Sequence, residues 1–545
     1  MNHDIIDFSL QTGVINYLII LSITLAVVLG LCLVLSFLKM GPKGIGRVFQ
    51  NLGNAAKDLA STSCGRIWAI ASLTTKETIR KRVLLVLVIF GLLFMFAGWF
   101  LGDSNERADL QVKVHISFVL TVISWMTLIL SVLIACWGLP GDIKAKSIHT
   151  VVTKPVRRHE IVMGRIGGYI FTLTVILLLM GSVSYIWTTR AVSEEAQSEL
   201  ICRVPHYGKL DFSGQFGGRV AEPEQKKVNV GDIWDFRSYI EGGTLARTWW
   251  SFEGINVSKL RQQEAMSIEY NFEAFRAHKG DLESRLRCQM TLINPESGLR
   301  APLRPFEVVE YSNRSADKTV LIPETFTYRE EGTGAEKSVN LFDDLITADG
   351  RFEVEVKCLD PGQFLGMARP DLFIRMPDKT FFSGFAKAIF GIWLLMCLVI
   401  IFSVTASTFT KGPVATLLVV GLLMVGATGL RELMVQLIQG TADGGGPLEA
   451  SVRMWTHMAP TVKLDPTLFN RIMMGSDQVI IALLSAASYI IPPLETFNMS
   501  SYVANGFDVP WSATLLPSLC IVIGYIIPAL LLAYFAMRLR EMEAK

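Results

Sequence analysis

The stretch LPGDIKAKSIHTVVTKPVRRHEIVMGR, Leu139 to Arg165, lies between two apolar runs of membrane length, Ile116–Gly138 and Ile166–Thr188. It carries Lys144, Lys146, Lys154, Arg157, Arg158 and Arg165. Such a segment is too short for a domain and too basic for lipid. Two spanning helices joined by a basic loop is the reading that decides the fold, and the excess of Lys and Arg assigns the loop to the cytoplasmic face.

Working outward, 51% of the chain is apolar and only 18% is charged, the balance of a polytopic membrane protein. A spanning helix needs about 20 mostly apolar residues. That criterion selects Val14–Leu38, Val83–Leu101, Ile116–Gly138, Ile166–Thr188, Ala386–Phe409, Val414–Leu430 and Ala513–Met537. The first has no Lys or Arg before it and exceeds a signal-peptide core, so it reads as an uncleaved anchor. Positive charge follows the first span (Lys39, Lys43, Arg47, Lys57, Arg66, Lys76, Arg80, Lys81, Arg82). It also follows the third, joins the fifth to the sixth at Lys411, and closes the chain at Arg538 and Arg540. All four regions share one side if seven helices alternate with the N-terminus outside and the C-terminus cytoplasmic. The run Val479–Ile491 stops at Pro492-Pro493 and is short for a crossing, which predicts a re-entrant or interfacial helix.

The expected fold class is an α-helical polytopic membrane protein of about seven transmembrane helices with an inserted extracytoplasmic β-sandwich-like domain. Its divisions are an extra first helix (1–38), a basic cytoplasmic segment with an interfacial helix (39–82), and helices two to four with the loop 139–165 (83–189). A β-rich outer domain (190–380) and helices five to seven with an outer re-entrant segment (381–545) complete it. In the outer domain Ile268, Tyr270 and Phe272, then Leu286, Cys288, Met290 and Leu292, then Phe352, Val354, Val356 and Cys358 alternate with polar residues, among them Glu353, Glu355 and Lys357. Period-two alternation marks half-buried strands. Asn294–Gly298 and Ala348-Asp-Gly350 supply turns. Cys288 and Cys358 fall on the apolar face of their strands, compatible with a disulfide and equally with two small buried side chains. Trp249-Trp250 reads either as a recognition surface or as core packing, the commoner role.

Catalytic motifs are missing. Gly41-Pro-Lys-Gly-Ile-Gly46 continues into Arg47-Val48 and so lacks the lysine and hydroxyl of a phosphate-binding loop, and the seven histidines show no metal-ligand spacing. The expectation is no enzyme, no metal and no cofactor in this chain. A net charge of +2 gives no support for nucleic-acid binding. Ionisable residues in or near the spans are few: Lys387, Arg431 and Glu432, each close enough to a helix end to snorkel. An ion-coupled carrier is therefore disfavoured.

The stretch Arg66–Arg82, RIWAIASLTTKETIRKR, leads straight into a span. Together with Asp142–Thr150, Thr153–Glu160, Met163-Gly-Arg165 and the closing Tyr489–Phe497, it resembles type-2 ABC transporter permeases over about Arg66–Thr188 and Phe381–Arg540. The extra first helix and the large outer domain depart from that pattern. The resemblance implies one permease half of an ATP-driven transporter, an exporter, in a cell inner (plasma) membrane. It implies a second half, identical or different, and a separate ABC ATPase subunit that binds ATP and Mg. The implied contacts with that subunit are Arg66, Lys76, Glu77, Arg80, Asp142, Lys144, Lys146, Arg157, Arg158 and Glu160. Each cation also satisfies the positive-inside rule without a partner, and Thr74 with Glu77 reads as a capping box that starts a helix. The alternative from another class is a membrane-anchored extracytoplasmic β-domain serving in signalling or scaffolding.

Overall fold

The computed structural model describes residues 9–80, 83, 85–101, 108–144, 156–192, 197, 200–213, 219–221, 237–263, 265–276, 285–308, 318–329, 335–427, 430–439, 445–458 and 467–540. It forms two compact units. Among the described residues, one is built from Ile201–Ser383 with Gly506–Asp508, and the other from the helical chain within Asp7–Leu200, Gly384–Asn505 and Val509–Lys545.

In chain order the principal helices are α1 (Leu10–Met40), α2 (Pro42–Ala60), α3 (Cys64–Arg80), α4 (Leu85–Leu101), α5 (Ala108–Lys144) and α6 (Arg158–Ala191). After the β unit follow α7 (Phe381–Phe409), α8 (Gly412–Ala427), α9 (Leu430–Gln439), α10 (Pro447–Thr456), α11 (Leu468–Ile490) and α12 (Leu516–Arg540). Among the described residues five helices are long and apolar enough to cross a membrane: Leu10–Leu38, Leu110–Lys144, Arg158–Ala191, Phe381–Phe409 and Trp511–Met537. The expected second and sixth crossings, α4 and α8, have 17 and 16 residues. At 1.5 Å per residue they reach about 25 Å, short of the roughly 30 Å hydrocarbon core. Length and composition thus carry five crossings where the apolar pattern led to seven.

The basic loop contracts. α5 continues past Ile116–Gly138, through a proline at 140, to Lys144, and α6 begins at Arg158. Residues 145–155, with Lys146 and Lys154, lie outside the described residues, as do Lys81 and Arg82. The predicted short helix Val479–Ile491 is the C-terminal half of α11, a helix of 23 residues. Its Asp477 carboxylate accepts the backbone N–H groups of Leu448 (2.8 Å) and Glu449 (3.0 Å), capping α10.

Bundle packing centres on α7. Val399 and Ala406 meet Val132 and Cys136 of α5 and Ala415 and Val419 of α8 in one buried cluster. Trp393 of α7 donates to Thr174 of α6 at 2.8 Å, and Phe402 stands edge-on to Tyr525 of α12. The Tyr17 hydroxyl of α1 donates to the Gly524 carbonyl of α12 at 2.8 Å.

In the β unit, strands 201–207, 372–380, 265–270 and 319–323 form an antiparallel sheet in that order. A larger sheet orders 306–308, 286–293, 352–358, 248–252, 209–213 and 219–221, with 300–302 on strand 286–293. Both contribute to one core containing Ile268, Met290, Leu292, Val354, Val356 and Ile374. The predicted alternation holds there, and both predicted turns carry a glycine at positive φ, Gly298 and Gly350. Three side chains sit differently from their period-two assignment or take one side of an open reading. Trp249 and Trp250 are buried, which makes them packing residues. Glu355, expected on the polar face, is 2% exposed and accepts Arg247, Arg300 and the Trp249 indole N–H.

Candidate functional site

The sequence feature that builds the site is a pair of glycines one turn apart on α6. A Cβ at Gly164 would stand 2.6 Å from Ile70 Cβ, and one at Gly168 2.6 Å from Thr74 Cβ. Only hydrogen at both positions lets α3 approach α6 this closely, the small-residue rule of membrane helix pairs. α3 buries Ile70, Thr74 and Thr78 in that contact and leaves Trp68 exposed. Thr74 is therefore deep in α3, its hydroxyl donating to the Ile70 carbonyl at 2.9 Å. The capping-box reading of Thr74 and Glu77 is corrected: the helix starts at Cys64.

The capping carboxylate is Glu160, which is fully buried. Its Oε1 accepts the Ser63 backbone N–H and Arg66 Nη2, each at 2.9 Å, and its Oε2 accepts the Arg157 backbone N–H at 2.9 Å. One negative charge so serves the N-termini of α3 and α6 together, where both helix dipoles favour it. Arg157 reaches across to α2, donating to the carbonyl oxygens of Lys57 and Asp58 and to Asp58 Oδ1 at 3.0 Å. Asp58 Oδ2 accepts the Tyr534 hydroxyl of α12 at 2.7 Å. His159 Nε2 meets the Thr62 hydroxyl at 2.8 Å.

A second cluster centres on Arg165, whose side chain is 10% exposed. Its guanidinium pairs with Asp142 of α5 and, at 3.3 Å, with Glu77 of α3, and donates to Tyr169 at 3.2 Å. Three helices are joined through one cation.

Of the ten residues singled out from sequence, the structure brings Arg66, Glu77, Asp142, Arg157 and Glu160 into these two clusters. Lys76, Arg80 and Lys144 are exposed near them in the chain, Arg158 is half-buried, and Lys146 lies outside the described residues. Asp58, Ser63, Tyr169 and Tyr534 escaped the sequence reading as site residues, and Arg165 stood out only as the end of the basic loop, not as a contact in its own right. A signal existed for Asp58, which closes an amphipathic stretch with Ile45, Val48, Phe49, Leu52 and Ala55 at helical spacing.

Among the described residues no group of three or more His, Cys, Asp or Glu side chains is placed to hold a metal ion. The arrangement is mechanical: an amphipathic helix clamped by buried charges to the ends of two long apolar helices. Compared with known protein families and with curated proteins, the chain matches none of them.

Proposed function

We propose that this chain is the permease subunit of an ATP-driven ABC transporter, an exporter, working with a separate ATPase subunit and a second permease half. The observation that carries the reading is the clamp of α3 onto α5 and α6 through Glu160 and Arg165. A helix held this way moves as one body with the spans it touches. A push on α3 from the cytoplasm, delivered when an ATPase dimer closes on Mg-ATP, is passed to α5 and α6 without loss in a flexible hinge.

The exposed cations Lys76, Arg80 and Lys144, with Arg158 and Lys146, are the surface we assign to that ATPase. The buried Asp142 and Glu160, with the half-buried Arg66, Glu77 and Arg157, hold the lever rigid. In this reading α4 and α8 cross the membrane as well, completing seven crossings by local thinning of the bilayer around helices a few ångströms short. The N-terminus and the β unit then face outward from an inner (plasma) membrane, which agrees with the positions of Lys and Arg.

The test is purification of the full chain in mild detergent with identification of what accompanies it. A phosphate-loop ATPase that is lost when Lys76, Arg80 and Lys144 are all changed to Glu, with the melting temperature of the chain unchanged, is the expected result. A preparation free of any ATPase overturns the reading in favour of an anchored β-domain.

A further inference from the structure

The two cysteines on the interior strands of the larger sheet are directly opposed. Strands 286–293 and 352–358 pair antiparallel with Cys288 facing Cys358. The next pair outward is Arg287 with Leu359, and there the Leu359 N–H donates to the Arg287 carbonyl at 2.9 Å. Hydrogen-bonded and non-hydrogen-bonded positions alternate along an antiparallel ladder. Cys288 and Cys358 therefore occupy a non-hydrogen-bonded position, where Cα atoms stand about 4.5 Å apart and side chains lie closest. That separation is inside the roughly 4.4–6.8 Å range that a disulfide spans.

Both side chains point into the core and are buried, at 0% and 4% exposure. The two sulfurs are close enough to influence one another's ionisation, and Cys358 Sγ lies 3.9 Å from the Asp360 carbonyl oxygen. Hydrogen bonding between the thiols, with burial, holds the Cys288 thiol far above its ordinary value, and the same bond draws Cys358 down. Room for the Cys358 sulfur is kept by Gly242, where a Cβ would lie 2.6 Å from it. Cys202, also buried, lies in the other sheet and gives the unit a third cysteine for comparison.

We propose that Cys288 and Cys358 are joined by a cross-strand disulfide in the protein as it exists in its membrane. The oxidant is a small or protein-borne disulfide of the compartment that the β unit faces, so the proposal rests on the outward placement of that unit. The Cys358 thiolate attacks one sulfur of the donor disulfide, and the other sulfur leaves as a thiolate. Cys288 then loses its proton to that thiolate and attacks Cys358 Sγ, expelling the second donor sulfur. Two protein thiols are oxidised by two electrons, and one donor disulfide is reduced to two thiols. The exchange takes place while the strands are still opening and closing, before the core shuts over both sulfurs.

The experiment blocks free thiols with N-ethylmaleimide in intact membranes and again after denaturation, then digests the full chain with trypsin without reduction. Cleavage releases Cys288–Arg300 and Cys358–Arg375. The expected species is the two peptides linked, replaced after reduction by two alkylatable peptides, with the Cys202 peptide carrying maleimide throughout. Reductant should also lower the melting temperature of the β unit by about 5 °C or more, and leave the Cys288→Ala/Cys358→Ala double variant unmoved. Maleimide on both Cys288 and Cys358 in the unreduced sample overturns the proposal. Treatment of the purified chain with oxidised glutathione in denaturant near the unfolding midpoint, where the strands open and close over both sulfurs, then separates the causes. A bridge formed only at that stage refutes the outward placement, and no bridge even there refutes the opposed geometry.

Discussion

At the scale of single residues, Gly168 carries more of the architecture than any charged side chain near it. A side chain there meets Thr74 Cβ and the Ala71 carbonyl oxygen at once, the latter at 2.7 Å from the new Cβ. Neither neighbour is the free end of a flexible chain, so the helices must part. Gly167, one position earlier, faces Ala71, with 3.9 Å between their Cβ positions. That matches the Cβ separation of about 3.8 Å in disulfides. The pair Ala71→Cys with Gly167→Cys should therefore cross-link readily under mild oxidation, seen as a species that resists cleavage-dependent separation of α3 from α6. Adding Gly168→Leu should abolish the link. Glu160 offers a second check at this scale. Glu160→Ala leaves two backbone N–H groups and Arg66 without their acceptor and should cost about 2–4 kcal/mol in detergent unfolding, with Glu160→Gln milder.

At the scale of elements, the pairing of strand 286–293 with strand 352–358 ends in an ion pair. Asp360 accepts the Arg287 backbone N–H at 2.7 Å and its guanidinium at 3.0 and 2.8 Å. Burial works to raise the carboxyl, but the backbone and guanidinium donors of Arg287 outweigh it and hold it below the ordinary value of 3.8. A folded-state value below the unfolded one contributes stability above the unfolded value and loses it as pH falls through the folded value. The β unit should thus melt at progressively lower temperature below about pH 4. Asp360→Asn should flatten that dependence in a fluorescence melt from pH 7 to 3. Strands such as 352–358 were legible because an alternating pattern shows one buried face, whatever the partner. Glu355 was not, since its burial depends on Arg247, Arg300 and Trp249 converging from two other strands. The clusters at the base of α6 follow the same rule. Arg66 and Glu160 are visible as charges, but the acceptor for Tyr534 lies 476 positions away at Asp58, a pairing that no local spacing announces. The count of crossings is legible only in part for another reason: α8 starts at Gly412 with Pro413 in its first turn and is described to Ala427, so the apolar run gives 16 described helical residues, short of a full crossing by length alone.

At the scale of the whole molecule, the placement of Lys and Arg makes one prediction about sidedness. In a background with Cys32, Cys64 and Cys520 replaced, Leu245→Cys in the β unit should react with an impermeant maleimide added outside intact cells. Lys144→Cys should react only after permeabilisation. Leu245 is 64% exposed and Lys144 is exposed at the end of α5, so both report access rather than burial. The reverse pattern would mean that the chain sits the other way up.

The hydrogen bond between Tyr17 and Gly524 has a consequence in time. Its two ends are 507 positions apart, and a ribosome adding about 5–20 residues per second needs roughly 25–100 s to travel from one to the other. The helix that carries Tyr17 is therefore made long before the surface that receives it exists. For most of synthesis it must be sheltered by lipid, by the insertion machinery or by another chain, and a nascent chain stalled before residue 524 should leave it unmoored.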